Sequence, residues 1–165
     1  MSSDAIVLLK ADHKELKAVF KQFQQAGENT QKKGELVRKM IELLTVHTYL
    51  ENELIYPEVR RQLPDLEDDV LESYEEHHVA DVLVMELSTM NADHERFDAK
   101  TTVLIENVLH HIEEEEQEWF PEVRKGMNRK QLAELGERML QMRPKAPRSP
   151  AQPKAMKKSL DAVVK

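Results

Sequence analysis

The sequence predicts an all-α protein: an up-down-up-down four-helix bundle made of two repeated helical hairpins, with a short fifth helix and a C-terminal tail. Three observations support this. Charged residues make up 33% of the chain and aromatics 5%, with 4 glycines, which suits long amphipathic helices better than strands. Apolar residues recur in steps of three and four along four long stretches. A constant spacing of 64 residues relates the first two stretches to the second two.

The first helix is expected to start from a cap at Ser3 or Asp4 and to stop at Gly27, with Ile6, Leu9, His13, Leu16, Phe20 and Phe23 inward. The second should start near Gly34, with Leu36, Met40, Leu43, His47, Leu50 or Glu51, and Leu54 on its buried stripe. Pro57 then ends or bends it, because proline brings no backbone donor and crowds the preceding turn. After a turn at Pro64-Asp65, the third helix points Val70, Tyr74, His77, Val84 and Leu87 inward and stops around Asn91. The fourth carries Phe97, Leu104, Val108, His111 and Glu115 and meets Pro121. Asn128 caps a fifth, with Leu132, Leu135 and Met139 on its stripe.

Residues 1–142 are thus expected to form the bundle with its extra helix. Residues 143–165 should form a basic tail, with four of the seven prolines between Arg143 and Pro153 as an extended linker. A last amphipathic stretch carries Met156, Leu160 and Val163 or Val164, and is expected to seat them on the bundle. The tail holds seven basic residues against the single acid Asp161, so its net charge is +6 and residues 1–142 carry −13. An acidic body argues against nucleic acid as a partner and suits a protein that binds cations.

Cysteine is absent, which excludes disulfides, thiolate nucleophiles and Cys-ligated metals, and fits a cytoplasmic location. No apolar run approaches the roughly 18 residues of a membrane span, so no membrane association is expected. Residues Met1 to Leu9, interrupted by Asp4, do not read as a signal peptide. A monomer or weak dimer is expected.

The unusual feature is that the buried stripes contain histidines and glutamates, and the spacing sorts them. His13 pairs with His77, His47 with His111, Glu51 with Glu115 and Pro57 with Pro121, each 64 residues apart. Ile55-Tyr56-Pro57-Glu58-Val59 matches Trp119-Phe120-Pro121-Glu122-Val123 at the same offset. His78 falls opposite Lys14 and His110 opposite Val46, which selects His77 and His111 as the inward pair. A histidine and a glutamate four apart lie one above the other on a helix face, so one helix offers imidazole and carboxylate together. Two unpaired glutamates in an apolar bundle would cost on the order of several kcal/mol each, and bridging two cations removes that cost. The expected metal ligands are therefore His13, His47, Glu51, His77, His111 and Glu115. With no cysteine, the set suits iron or manganese as well as zinc.

Asp12-His13, Glu76-His77 and the two His-x-x-x-Glu units followed by proline resemble the haemerythrin family, in its His-His-Glu cation-binding branch, over roughly residues 4–124. The resemblance implies two iron ions, one on His13 and His47 and one on His77 and His111. Glu51 and Glu115 would bridge them with an oxo or hydroxo group. The oxygen-carrying members have a further histidine where this chain has Ser73, and an aspartate five residues after the fourth-helix histidine where this chain has Glu115 at four. A ferritin-like site would need Glu-x-x-His on two helices, and only Glu75 to His78 fits.

One ligand short, such a centre should be open to small oxidants. The expected function is catalase-like disproportionation of hydrogen peroxide, or binding of nitric oxide. The alternative is an oxygen-binding or iron- and oxygen-sensing module without turnover. Tyr74, one turn before His77, is the candidate catalytic residue beyond the ligands.

Overall fold

The computed structural model describes residues 4–164, with side chains through Lys158. Helix α1 (Ala5–Gln24) starts at Asp4, whose carboxylate accepts from the backbone N–H of Ile6 and Val7 and from Arg124. This satisfies donors that a helix N-terminus leaves free. Gly27, with φ +60°, lets the chain reverse after α1. Helix α2 (Thr30–Leu50) starts four residues earlier than the expected Gly34, because the Asn29 side chain caps it by accepting from the Lys32 N–H. Gly34 lies inside the helix, where a Cβ would sit 3.3 Å from Ala92.

Pro57 does not end the second helix. At Glu51–Ile55 the hydrogen-bond pattern widens to one π turn, closed by Tyr56 N–H donating to the Glu51 carbonyl. The chain continues as α3 (Tyr56–Gln62), with proline in its first turn. The same happens in the second half. Helix α4 (Glu67–Ser88) is followed by α5 (Phe97–Glu114). A π turn at Glu115–Trp119, closed by Phe120 N–H on the Glu115 carbonyl, then leads into α6 (Phe120–Gly126). The two π turns are 64 residues apart, and each begins at an inward glutamate. Isolated π turns within helices are frequent at functional sites.

Helices α1 and α2 pack as one hairpin and α4 and α5 as the other, with α2 against α4 and α1 against α5, which closes an antiparallel four-helix bundle. Two apolar clusters fill it. One holds Leu9, Leu50, Leu54, Tyr56, Val70 and Phe120, and the other Leu16, Phe20, Met40, Val84, Leu104 and Ile112. The inward histidines and glutamates occupy the layer between them. No strand occurs among the described residues, and no described helix is long and apolar enough to cross a membrane.

Helix α7 (Arg129–Met142) starts from a capping box between Asn128 and Gln131. It lies along α1 and puts Leu132, Leu135 and Met139 into the first cluster. Helix α8 (Pro153–Val164) packs against α2 and α4. Its docking residues differ from the expected apolar stripe. Met156 is 45% exposed, whereas Ala155 and Lys158 are each 4% exposed. The Lys158 ammonium donates to Thr48 Oγ1 at 2.7 Å and to Asp81 Oδ1 at 2.8 Å. Its alkyl stem crosses apolar surface while its charge meets a carboxylate. The side chains of Leu160, Val163 and Val164 lie outside the described residues. Arg143 on Asp12 and Arg148 on Glu42, each at 3.0 Å, also hold the basic tail to the acidic body.

Limited proteolysis should cut residues 143–152 far more slowly in the native protein than in an unfolded control. Lys158→Ala should speed cutting toward the unfolded rate by removing the ammonium that ties α8 to Thr48 and Asp81. Equal rates in the native and unfolded chains would show that α8 is not docked.

Candidate metal centre

All six expected residues meet at the centre of the bundle. His13, His47, Glu51, His77, His111 and Glu115 are each no more than 6% exposed. They form two overlapping groups of ligand atoms. His13, His47 and Glu115 form one, and Glu51, His77, His111 and Glu115 the other. Glu115 spans both, with Oε2 3.2 Å from His13 Nε2 and Oε1 3.0 Å from His111 Nε2. Glu51 Oε1 lies 2.8 Å from His47 Nε2 and 3.5 Å from His77 Nε2. The constant spacing thus selected residues that do converge. His110 lies outside, 66% exposed and paired with Glu114.

Three imidazoles are hydrogen-bonded from behind, and the fourth, His111, faces a carboxylate without an aligned hydrogen bond. His47 Nδ1 is 3.0 Å from Asp12 Oδ2 and His111 Nδ1 3.4 Å from Glu76 Oε1, both within one hairpin. His13 Nδ1 is 2.9 Å from Glu116 Oε1 and His77 Nδ1 2.5 Å from Asn52 Oδ1, both across hairpins. Asp12 and Glu76 are one repeat apart, as are Asn52 and Glu116. An N–H held outward at Nδ1 leaves the Nε2 lone pair pointing inward, the arrangement of metal-binding histidines.

The inward atoms fit a cation better than they fit one another. His13 Nε2, His47 Nε2, both oxygens of Glu51 and Glu115 Oε2 are buried without an aligned hydrogen-bond partner. Buried polar groups left in that condition are rare. Burial would depress the His47 imidazole, yet Glu51 and Asp12 outweigh it and hold its pKa up to about 10. Burial would also raise Glu51, but His47 and His77 pull it well below the ordinary range. At neutral pH the cluster therefore keeps ionised carboxylates, the form that binds metal.

Tyr74 does not reach the cluster. It is half-buried, and its hydroxyl lies 3.5 Å from the Asn52 carbonyl, the π-turn carbonyl to which Pro57 has no N–H to give. Its ring packs edge-on against Tyr56, with centroids 5.3 Å apart. Tyr56 supplies the hydroxyl at the centre instead. Its Oη donates to Glu115 Oε1 at 2.7 Å and lies 3.2 Å from both His77 Nε2 and His111 Nε2. Burial, then the charges of Glu115 and Glu51, push its pKa well above the usual phenol value, so it keeps its proton. The equivalent residue in the other half is Phe120, stacked on His13 with centroids 5.7 Å apart. The sequence did hold a signal for Tyr56: its hydroxyl is a break in the repeat beside a ligand.

The fold and the clustered histidines and glutamates define a helical-bundle metal-binding protein. The chain belongs to the haemerythrin family: the Hemerythrin HHE cation binding domain matches residues 4–123. It is also similar to the DNA nickase of Nostoc sp. (strain PCC 7120), 26% identical over 124 residues. That match covers 75% of this chain and 34% of the relative, so the chain spans about a third of that protein's length. No solved structure matches.

Asp12→Asn and Glu116→Gln should each weaken metal binding roughly 10–100-fold while leaving the fold intact. Competition with a chelator of known affinity, alongside circular dichroism, measures both. Unchanged affinity would remove the orienting role of these carboxylates.

Proposed function

We propose that the protein holds two iron ions and disproportionates hydrogen peroxide. One peroxide gives up two electrons and two protons and leaves as dioxygen, and a second takes them up and leaves as two waters. His13 and His47 would hold one iron, His77 and His111 the other, with Glu51 and Glu115 spanning the pair. The iron pair supplies the two-electron redox chemistry. Four imidazoles and two carboxylates without cysteine suit iron, and the family resemblance favours it over manganese and zinc.

The observation that carries this reading is the space beside the centre. A pocket bounded by Leu16, Leu44, Ala80, Val108 and the rings of His47, His77 and His111 leaves about 20 Å³ for the centre of a water-sized molecule. That is room for about one such molecule. Peroxide fits and an organic substrate does not. Tyr56 Oη does not line this pocket but lies beside the Nε2 atoms of His77 and His111 and keeps its proton, so it would serve as the proton donor at the centre itself. Ser73, where oxygen carriers keep a histidine, makes its hydrogen bond to the Asp69 carbonyl and adds no imidazole. This favours turnover over reversible carriage. Nitric oxide is the second reading, since it also fits the pocket.

Metal analysis should give two irons per chain, and the loaded protein should release dioxygen from peroxide well above free-iron controls. Tyr56→Phe should lower kcat roughly 100-fold while retaining metal. The phenyl ring is sterically acceptable, because Phe120 fills the equivalent place in the other half. One metal per chain would overturn the site assignment. A stable oxygen or nitric oxide adduct without turnover would point to a binding module.

A further inference from the structure

The repeat is broken most sharply on one face. Ala5, Leu8, Leu50 and Leu54 of the first hairpin correspond, 64 residues on, to Asp69, Glu72, Glu114 and Glu118 of the second. In the first hairpin these positions pack in the cluster that α7 seals with Leu132, Leu135 and Met139. The tail helix α8 packs on α2 and α4, and no described helix covers the acidic face of the second hairpin. That face is an open cleft of about 190 Å³ between α4 and α5–α6. Six carboxylates outside the metal centre line it: Asp69, Glu72, Glu76, Glu114, Glu118 and Glu122. No lysine or arginine lines it, and Asp69, Glu72 and Glu118 have no cationic partner among the described residues.

The lining also includes His111, Glu115 and Trp119, so the cleft reaches the metal centre. Three buried polar atoms on these residues have no aligned hydrogen-bond partner: His111 Nδ1, Glu115 Oε2 and Trp119 Nε1, on residues 6%, 2% and 6% exposed. Glu76 and Glu114 of this lining, with the exposed His110 outside it, bring ligand atoms within 4.8 Å of one another. The lining therefore grades from carboxylates without a cationic partner, through the part-buried Glu76 and Glu114, to the buried glutamate that spans both halves of the centre.

We propose that this cleft is the access route for the divalent cation, with Glu76 and Glu114, beside the exposed His110, as a transient binding site at its wall. Glu72 and Glu118 draw the hydrated ion inward. Glu76 and Glu114 replace part of its water, and Glu115 and His111 receive it. A cleft of one charge between low-dielectric walls concentrates its counter-ion and raises association rates by about 10- to 1000-fold. The same field turns anions away, so the centre loads with cations through an opening that neutral peroxide can share. The proposal rests on Glu115 and His111 being metal ligands.

Stopped-flow loading of the metal-free full chain with Co(II) at low ionic strength tests it, with uptake read from the visible absorption of the bound ion. Glu72→Gln/Glu118→Gln should slow uptake at least about tenfold while leaving the final number of bound ions unchanged. Added salt should slow the wild type toward the variant. Glu134→Gln/Glu137→Gln, on the exposed face of α7, removes the same charge away from the cleft and should load at the wild-type rate. Equal slowing in both variants, or no slowing in the cleft variant, would overturn the route. The endpoint separates the two proposals: one ion per chain defeats the paired centre, while the ratio of rates still decides the route. No uptake by the wild type defeats both.

Discussion

Two ionised carboxylates at the centre of an apolar bundle are the constraint on which the rest of this molecule depends. Glu51 and Glu115 are buried at 0% and 2% exposure, between two apolar clusters from which Glu115 receives the Tyr56 hydroxyl. A buried charge is tolerable only when it is paired and hydrogen-bonded or bound to metal. Four imidazoles surround the two carboxylates; Asp12, Asn52 and Glu116 hydrogen-bond three of them from behind, and Glu76 faces the fourth. Arg143 in turn holds Asp12, so the restraint runs outward from the core to the start of the tail. The π turns belong to the same constraint. Each begins at a buried glutamate, and the residue whose N–H closes it, Tyr56 or Phe120, packs its ring against a histidine of the opposite hairpin.

The near two-fold repeat supplies the ligands, and its exceptions make the two halves chemically unequal. His13 and His47 have carboxylates behind both rings, while His77 has the neutral amide of Asn52. An imidazole that donates to a carboxylate is the more basic ligand. Phe120 closes the first half with an inert ring, whereas Tyr56 puts a protonated hydroxyl into the second. The weaker donor set and the available proton therefore fall on the same side, that of His77 and His111. The acidic cleft opens on that side as well.

The sequence disclosed the bundle because helical periodicity and duplication are both written in residue spacing. The offset of 64 fixed which of two adjacent histidines turned inward, and those histidines do meet. The π turns were not legible, since a shift of hydrogen-bond register leaves no mark on composition. That hid Tyr56. Five residues beyond Glu51 on a regular α-helix is a rotation of roughly 140° away from its face. The wider turn brings it back. Tyr74 drew attention because a regular helix places it one turn from His77, yet its hydroxyl lies by the carbonyl that Pro57 cannot serve. The tail misled for a different reason. Met156 continued an apolar stripe, but Lys158 with Asp81 waiting for it holds the helix by charge.

A buried metal centre faces opposing demands. Low dielectric around the ligands strengthens their hold and keeps out bulk water, but a divalent cation must shed hydration to enter such a place. Covering every face would satisfy the first demand and prevent loading, and opening every face would do the reverse. Here the coverage is divided. Helix α7 closes the first hairpin with apolar side chains, and α8 lies over α2 and α4 with Lys158 reaching the residue next to His47. The face that remains carries carboxylates where the repeat would have placed alanine and leucine. Oxygen ligands graded inward let a cation exchange water for carboxylate in steps, so no single step exposes a bare ion to the apolar core. The asymmetry that gives the two halves of the centre unequal surroundings thus also leaves one acidic face open for the proposed filling of the centre.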